Sequence, residues 1–283
     1  MGRFCWVLPA CLLVLAACGA EPADGDAERD QSRTAKGAAA STDSLFNADP
    51  QVAVVNGEQA ATIDINLPAN IDTLHPDLAS AIRERANRGT EAFIATAQAD
   101  KQAAAEKGFE FRPHALDVNW IDVGPAEGRL AGYLGTYATY TGGAHPNVGF
   151  DVLNWDREAA REIAFTDLFD DADAARTAIT SELKGGLLEA KRERLSGMSV
   201  DDEELLSAWV NPAFEGDAAV FRGFTIARSS DETKAGGLIY HFAPYEVGAY
   251  AEGIYEVGVP YEAFSGMLKR QYRNAFGGTP ILP

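Results

Sequence analysis

His145 lies in Thr141-Gly142-Gly143-Ala144-His145-Pro146, where two glycines and a proline frame an imidazole. Glycine reaches backbone angles closed to other residues, so the ring can be presented on a sharp turn. An imidazole so placed can act as a base or as a partner contact near neutral pH. Equally, its nitrogens can bond nearby backbone and simply fix the loop. Tyr245 and Glu246, which follow Pro244, form a second candidate pair. Tyrosine is enriched at binding surfaces, and a glutamate there can meet a basic ligand. The plainer alternative is a tyrosine packed over a sheet with its hydroxyl bonded. Gly142, Gly143, His145, Pro146, Tyr245 and Glu246 are therefore the candidate partner-binding residues.

Other patterns carry less. Asp170, Asp171 and Asp173 suit the positive start of a helix, and they lack the glycine and distal glutamate of a calcium loop. His75, His114 and His241 show no metal-ligand spacing. There is no G-x-S-x-G, no phosphate-binding loop and no H-E-x-x-H, and no carboxylate pair reads as a glycosidase site. The expectation is a binding module without catalytic residues, metal or cofactor.

The elements that position these residues centre on Tyr133–Asp156. Tyr133, Gly135, Tyr137 and Thr139 alternate, the glycine loop breaks the run, and Phe150, Val152 and Leu153 resume it. That is a strand, a loop and a strand, with Tyr137 and Phe150 expected inward. Before it, Val52–Val55, the turn dipeptide Asn56-Gly57 and Ala61–Leu67 predict two strands. A helical stretch from Pro76 to Lys107 carries Leu78, Ile82, Phe93, Ile94 and Ala97 inward, with a kink or split at Gly89-Thr90. Phe109–Val123 reads as a strand with Pro113 and His114 at a bulge or edge. Ile163–Phe169 closes this half of the chain, with a short strand expected before Phe165. Ile179, Leu183, Leu187 and Ala190 stripe a helix over 173–195 that Gly185-Gly186 should weaken, and a short helix follows at 202–209. Three strands at 223–227, 237–242 and 253–259, then a helix over 261–272, complete the chain. Strands broken by a few long helices, without strict alternation, predict an α+β fold with a mixed or antiparallel sheet.

The N-terminus carries a different signal. Arg3, an apolar run from Phe4 to Leu15 and Leu15-Ala16-Ala17-Cys18 resemble a bacterial lipoprotein leader. The run is shorter than the roughly 20 residues that span a bilayer. Residues 1–17 are expected to be removed and Cys18 to carry the lipid, an ordinary secretory cleavage nearby being the alternative. The three cysteines, Cys5, Cys11 and Cys18, all lie here, leaving the exported part without a disulfide or thiolate. Residues 18–44 are poor in aromatic and β-branched types and read as a disordered tether spanning about 30 Å. With Gly19 rather than aspartate after the cysteine, the expected place is the outer membrane, facing the periplasm. Without Arg3 the chain holds 23 basic and 42 acidic residues, a net charge of −19. Such a surface repels nucleic acid and suits either solubility or a basic partner.

The order of Tyr140-Thr141-Gly142-Gly143-Ala144-His145, Asn154-x-Asp156, Phe165-Thr166-Asp167-Leu168-Phe169 and Phe242-Ala243-Pro244-Tyr245 resembles a known family. It is similar to the paired domains of unknown function in the extracytoplasmic part of RsiV-type anti-sigma factors and to the N-terminal module of the peptidoglycan deacetylase PdaC. The resemblance runs from about Ile63 to Lys269, with residues 45–160 and 161–283 as the two parts of the module. Trp155 inside Asn154-x-Asp156 departs from the pattern. A lipid anchor stands where RsiV has a membrane helix, and no stretch reads as the deacetylase's catalytic part. The resemblance implies an α+β envelope module that binds a basic, lysozyme-like protein or peptidoglycan. An enzyme or enzyme inhibitor of peptidoglycan turnover is the alternative.

Overall fold

The computed structural model describes residues 51–55, 58–198, 201–215 and 219–283. The leader, the tether, Cys18 and the Asn56-Gly57 turn lie outside the described residues. Those from 51 onward belong to one compact unit. Among them, six strands form one sheet in sequence order: β1 Gln51–Val55, β2 Glu58–Asn66, β3 His114–Asp122, β4 Leu130–Tyr140, β5 Asn147–Asp156 and β6 Arg161–Glu162. Neighbours are antiparallel except β2 and β3, which run parallel. A parallel pair needs a crossover, supplied by α1 Pro76–Ala86 and α2 Thr90–Lys107. The anticipated break between the helices is real: Gly89 takes φ +82°. The fold is α+β with a mixed sheet, as expected.

One face of this sheet carries the alternation seen in the sequence. Leu116, Val118 and Trp120 of β3, Ala131 and Tyr133 of β4, and Leu153 and Trp155 of β5 bury against Leu78 and Ile82 of α1. Gly135 sits opposite Trp120, and a Cβ there would fall 2.4 Å from the indole. The glycine in the alternating run is thus the space the tryptophan fills. Two expectations need correction. Strand β3 starts only at His114 and runs in mid-sheet between β2 and β4, so Pro113 ends the preceding loop rather than marking an edge or bulge. Tyr137 stands opposite Gly149, and Phe150 opposite Thr136, so Tyr137 and Phe150 project from opposite faces, each half-buried.

The second sheet is antiparallel and three-stranded: β7 Phe224–Ala227, β8 Gly237–Phe242 and β9 Tyr255–Pro260. Between the sheets come α3 Phe165–Leu168, α4 Ala172–Arg194 and α5 Asp202–Leu205. Asp171 caps α4 by accepting the Ala174 N–H at 2.9 Å. The α4 stripe of Ile179, Leu183 and Leu187 is fully buried, and α4 packs on β9. Gly185-Gly186 does not interrupt the helix. Gly186 instead lets it approach β9, since a Cβ there would lie 2.6 Å from Val257 Cγ1.

Two further segments complete the comparison with expectation, and the second differs from it. The short strand expected before Phe165 is β6, and Phe165–Leu168 forms the single turn α3, where Asp167 accepts the Ala164 N–H at 2.9 Å. The expected helix over 261–272 is a series of 3-10 turns. Its backbone is engaged elsewhere: Lys269 N–H donates to Leu168 O, and Asp170 N–H to Met267 O, each at 2.9 Å. Those bonds use groups that a continuous helix would need for itself.

The sheets meet at Asn154. Strand β7, at the edge of the small sheet, offers an unpaired backbone to the second face of the large one. Asn154 Nδ2 donates to Phe224 O at 2.8 Å, and Ile226 N–H donates to Asn154 Oδ1 at 2.9 Å. One amide thus acts as a surrogate strand and covers the edge. Gly132, opposite Asn154, admits this approach: a Cβ there would lie 3.0 Å from the Ile226 backbone. Two residues on, fully buried Asp156 takes Arg129 through Nε and Nη2, the Tyr272 hydroxyl and the N–H groups of Glu158 and Ala159.

Candidate functional site

The β4–β5 loop places His145 at the surface. Of its two glycines, Gly142 needs the residue type, with φ +86°, whereas Gly143 does not adopt a left-handed conformation. His145 Nδ1 lies 3.1 Å from Pro146 O, a carbonyl that only accepts, so Nδ1 donates. The same oxygen accepts the hydroxyl of Tyr250 at 2.8 Å. The two rings are stacked, with centroids 3.6 Å apart and planes at 21°. Tyr245 lies beside Tyr250 at 5.7 Å and is 58% exposed. His145, Tyr250 and Tyr245 therefore make a short aromatic ridge from two segments about 100 positions apart in the sequence.

Tyr245 takes φ +76°, a left-handed backbone rare for an aromatic residue. The turn that imposes it closes through Tyr245 N–H to Gly248 O at 3.0 Å and Glu246 N–H to Ala243 O at 3.1 Å. Strained backbone of this kind gathers at functional sites. Glu246 curls back, its Oε2 accepting the Ala243 N–H at 2.8 Å. The structure thus joins the Gly142–Pro146 loop to Tyr245 and turns the Glu246 carboxylate onto its own backbone.

Tyr250 escaped the sequence reading, which had no local signal for it. It opens the turn Tyr250–Glu252, which a buried ionic group holds from beneath. Glu252 Oε1 accepts the Ala249 N–H at 2.7 Å, and Oε2 accepts from Lys191 Nζ at 2.7 Å and from the Tyr255 hydroxyl at 2.6 Å. Lys191 is wholly buried, its ammonium 5.0 Å from the Tyr255 ring and 5.6 Å from that of Trp209. Burial opposes the charge of Glu252, yet the bonds from Lys191, Tyr255 and Ala249 outweigh it and hold the carboxyl below its usual range. Burial, and then Glu252 itself, push the Tyr255 hydroxyl up.

His241 sits in a chain of a different kind. Its Nδ1 lies 2.9 Å from Glu256 Oε1 and its Nε2 2.9 Å from Thr225 Oγ1. A carboxylate accepts, so Nδ1 donates, and in the singly protonated ring Nε2 accepts a hydrogen bond from the Thr225 hydroxyl. The His241 bond, the largest influence, lowers the Glu256 carboxyl. The order hydroxyl, imidazole, carboxylate is that of a nucleophilic triad, but Thr225 has no exposed surface, so no substrate reaches that hydroxyl. The chain ties β7, β8 and β9 together. His114 is likewise buried, and among the described residues no three His, Cys, Asp or Glu side chains are grouped to hold a metal.

Close to the ridge lies a cavity of about 880 Å³, lined by residues of β5, the Ile163–Thr166 segment, Phe221–Phe224 and Glu246. Phe150 faces it, tilted against His241 at 5.8 Å.

Residues 54–148 match the family model described as Deacetylase PdaC, and residues 166–262 match that of a protein of unknown function, DUF3298. The two matches follow one another along the chain, the PdaC match first. His145 belongs to the first; Tyr245 and Tyr250 belong to the second, so the ridge is assembled across the two matches. Asn154 and Asp156 lie between them, at the join. Two solved structures are similar. A DUF3298-family protein from Bacteroides fragilis NCTC 9343 is 20% identical, with 72% of this chain and 73% of that one covered and a TM-score of 0.49. A DUF3298-family protein from Pseudomonas aeruginosa PAO1 is 20% identical, with 62% and 72% covered and a TM-score of 0.40. No curated protein matches. Among the described residues no helix is long and apolar enough to cross a membrane.

Proposed function

We propose that this chain is a lipid-anchored envelope module that binds a basic, lysozyme-like protein through the His145–Tyr250–Tyr245 ridge without catalysing a reaction. The observation that carries the reading is the ridge itself. Two loops from separate family segments converge so that an imidazole stacks on one tyrosine and a second, strained tyrosine stands exposed beside it. Rigid aromatic side chains on loops over a fixed sheet are the usual anchors of recognition. The net charge of −18 suits a basic partner and would act mainly on the rate of association. The resemblance to RsiV-type domains supports the choice of partner, and the lipobox-like Leu15–Cys18 supports the anchor and the periplasmic face of the outer membrane.

The test is binding of purified residues 45–283 to a lysozyme at two salt concentrations. Association should slow with salt while dissociation changes little. Tyr245→Ala and His145→Ala, confirmed as folded, should each weaken binding by about tenfold or more, about 1.4 kcal/mol. Absence of binding at low salt removes lysozyme as the partner. Capture by insoluble peptidoglycan instead would make the glycan the ligand.

A further inference from the structure

The cavity beside the ridge has an unusual charge account. In a chain with 42 acidic and 24 basic residues, arginines have carboxylates in abundance. Arg85 is fully committed, to Asp151 at 2.8 Å and to Glu162 at 2.7 Å. Arg176 and Arg222 line the same cavity, and among the described residues neither forms an ion pair. Arg176 is held in place by two rings, with its guanidinium carbon 5.4 Å from the centroids of Phe165 and of Phe221. Its Nε is buried and has no hydrogen-bond partner. The side chain as a whole is only half-buried and lines the cavity, where its unpaired charge can meet a ligand oxyanion. Arg222 is exposed and can follow a ligand as it enters.

The remaining lining narrows the class of ligand. Half-buried Phe150 supplies apolar surface, backed by the buried Phe165, Phe221 and Phe224, and Asp151, Glu162 and Glu246 supply acceptors for hydroxyl groups. Aromatic faces pack on the C–H face of a sugar ring, carboxylates accept from its hydroxyls, and paired guanidiniums take a carboxylate or phosphate on it. A volume of about 880 Å³ is at the upper end of that of small-molecule sites.

We propose that this cavity binds an acidic sugar, with Arg176 and Arg222 on its anionic group and Phe150 against its ring. The site is separate from the ridge and does not depend on a protein partner there. Four probes of related structure test it by titration calorimetry on the chain from residue 45 onward: N-acetylglucosamine, N-acetylmuramic acid, N-acetylglucosamine 1-phosphate and lactate. The expected result is saturable binding of one or both charged sugars, at least about tenfold tighter than the neutral sugar or lactate. A preference for the muramic acid identifies the carboxylate form, and a preference for the 1-phosphate the phosphate form. Arg222→Gln, at an exposed position, should weaken binding about tenfold with the unfolding midpoint unchanged. Arg176→Gln should do so too, and Arg176→Lys should restore it in part. His145→Ala should leave sugar binding intact, which separates this site from the ridge. If no charged sugar saturates, if all four probes bind alike, or if the folded arginine variants keep full affinity, the proposal is wrong.

Discussion

The Tyr250 ring lies on His145 at 3.6 Å while its hydroxyl donates to Pro146 O, so one side chain holds the β4–β5 loop by its face and its tip together. Tyr250→Phe keeps the stack and removes the hydrogen bond. It should lower stability by about 1 kcal/mol and raise amide exchange selectively over residues 141–147. Unchanged exchange in that loop would show that the stack alone fixes it.

Asn154 serves two buried backbone groups of β7. Asn154→Ala orphans Phe224 O and Ile226 N–H and should cost roughly 2–5 kcal/mol, read as a fall in the urea midpoint. Asn154→Asp can still accept from Ile226 but cannot donate to Phe224, and it adds a buried negative charge, so it should do no better. A midpoint within error of the parent for the alanine variant would mean that the sheets do not depend on this seam.

Asp156 ties stability to pH. Burial opposes its charge, but Arg129, the Ala159 N–H and the Tyr272 hydroxyl outweigh that and hold the carboxyl below its usual range. A folded-state value below the unfolded one means that the unfolded chain binds the proton more readily. The contribution is therefore complete above the ordinary aspartate value, about 4, and is lost as pH falls below it. Asp156→Asn should be less stable than the parent at neutral pH, and the gap should narrow as pH falls through the acid range below about 4. A constant gap across that range would assign the effect to lost hydrogen bonds alone.

The anchor is tested in cells. Cys18 is the last cysteine of the leader and completes Leu15-Ala16-Ala17-Cys18. Cys18→Ser should abolish incorporation of a fatty-acid analogue and leave the protein unprocessed or released from membranes. Equal labelling of parent and variant would end the lipoprotein reading.

The sequence alone determined which stretches become strands and long helices, because period-two and period-3.6 burial is a local property of the chain. Ile179, Leu183 and Leu187 announce α4, and the run through Tyr133, Gly135 and Tyr137 announces β4. It also marked the Gly142–Pro146 loop and Tyr245 as unusual, since glycine and proline declare special backbone. What it left undecided were contacts between segments distant along the chain. Residues 261–272 carry helical spacing, yet pairing with Leu168 and Asp170 takes the backbone groups a helix would use. Asn154 reads as an ordinary polar residue in a strand until β7 arrives over it. The cavity draws its arginines from α1, from α4 and from the segment before β7, and further lining from β5. The meeting of His145 with Tyr250 depends on how the β4–β5 loop and the segment between β8 and β9 are carried to one place by sheets that Asn154 joins, a geometry no local pattern encodes.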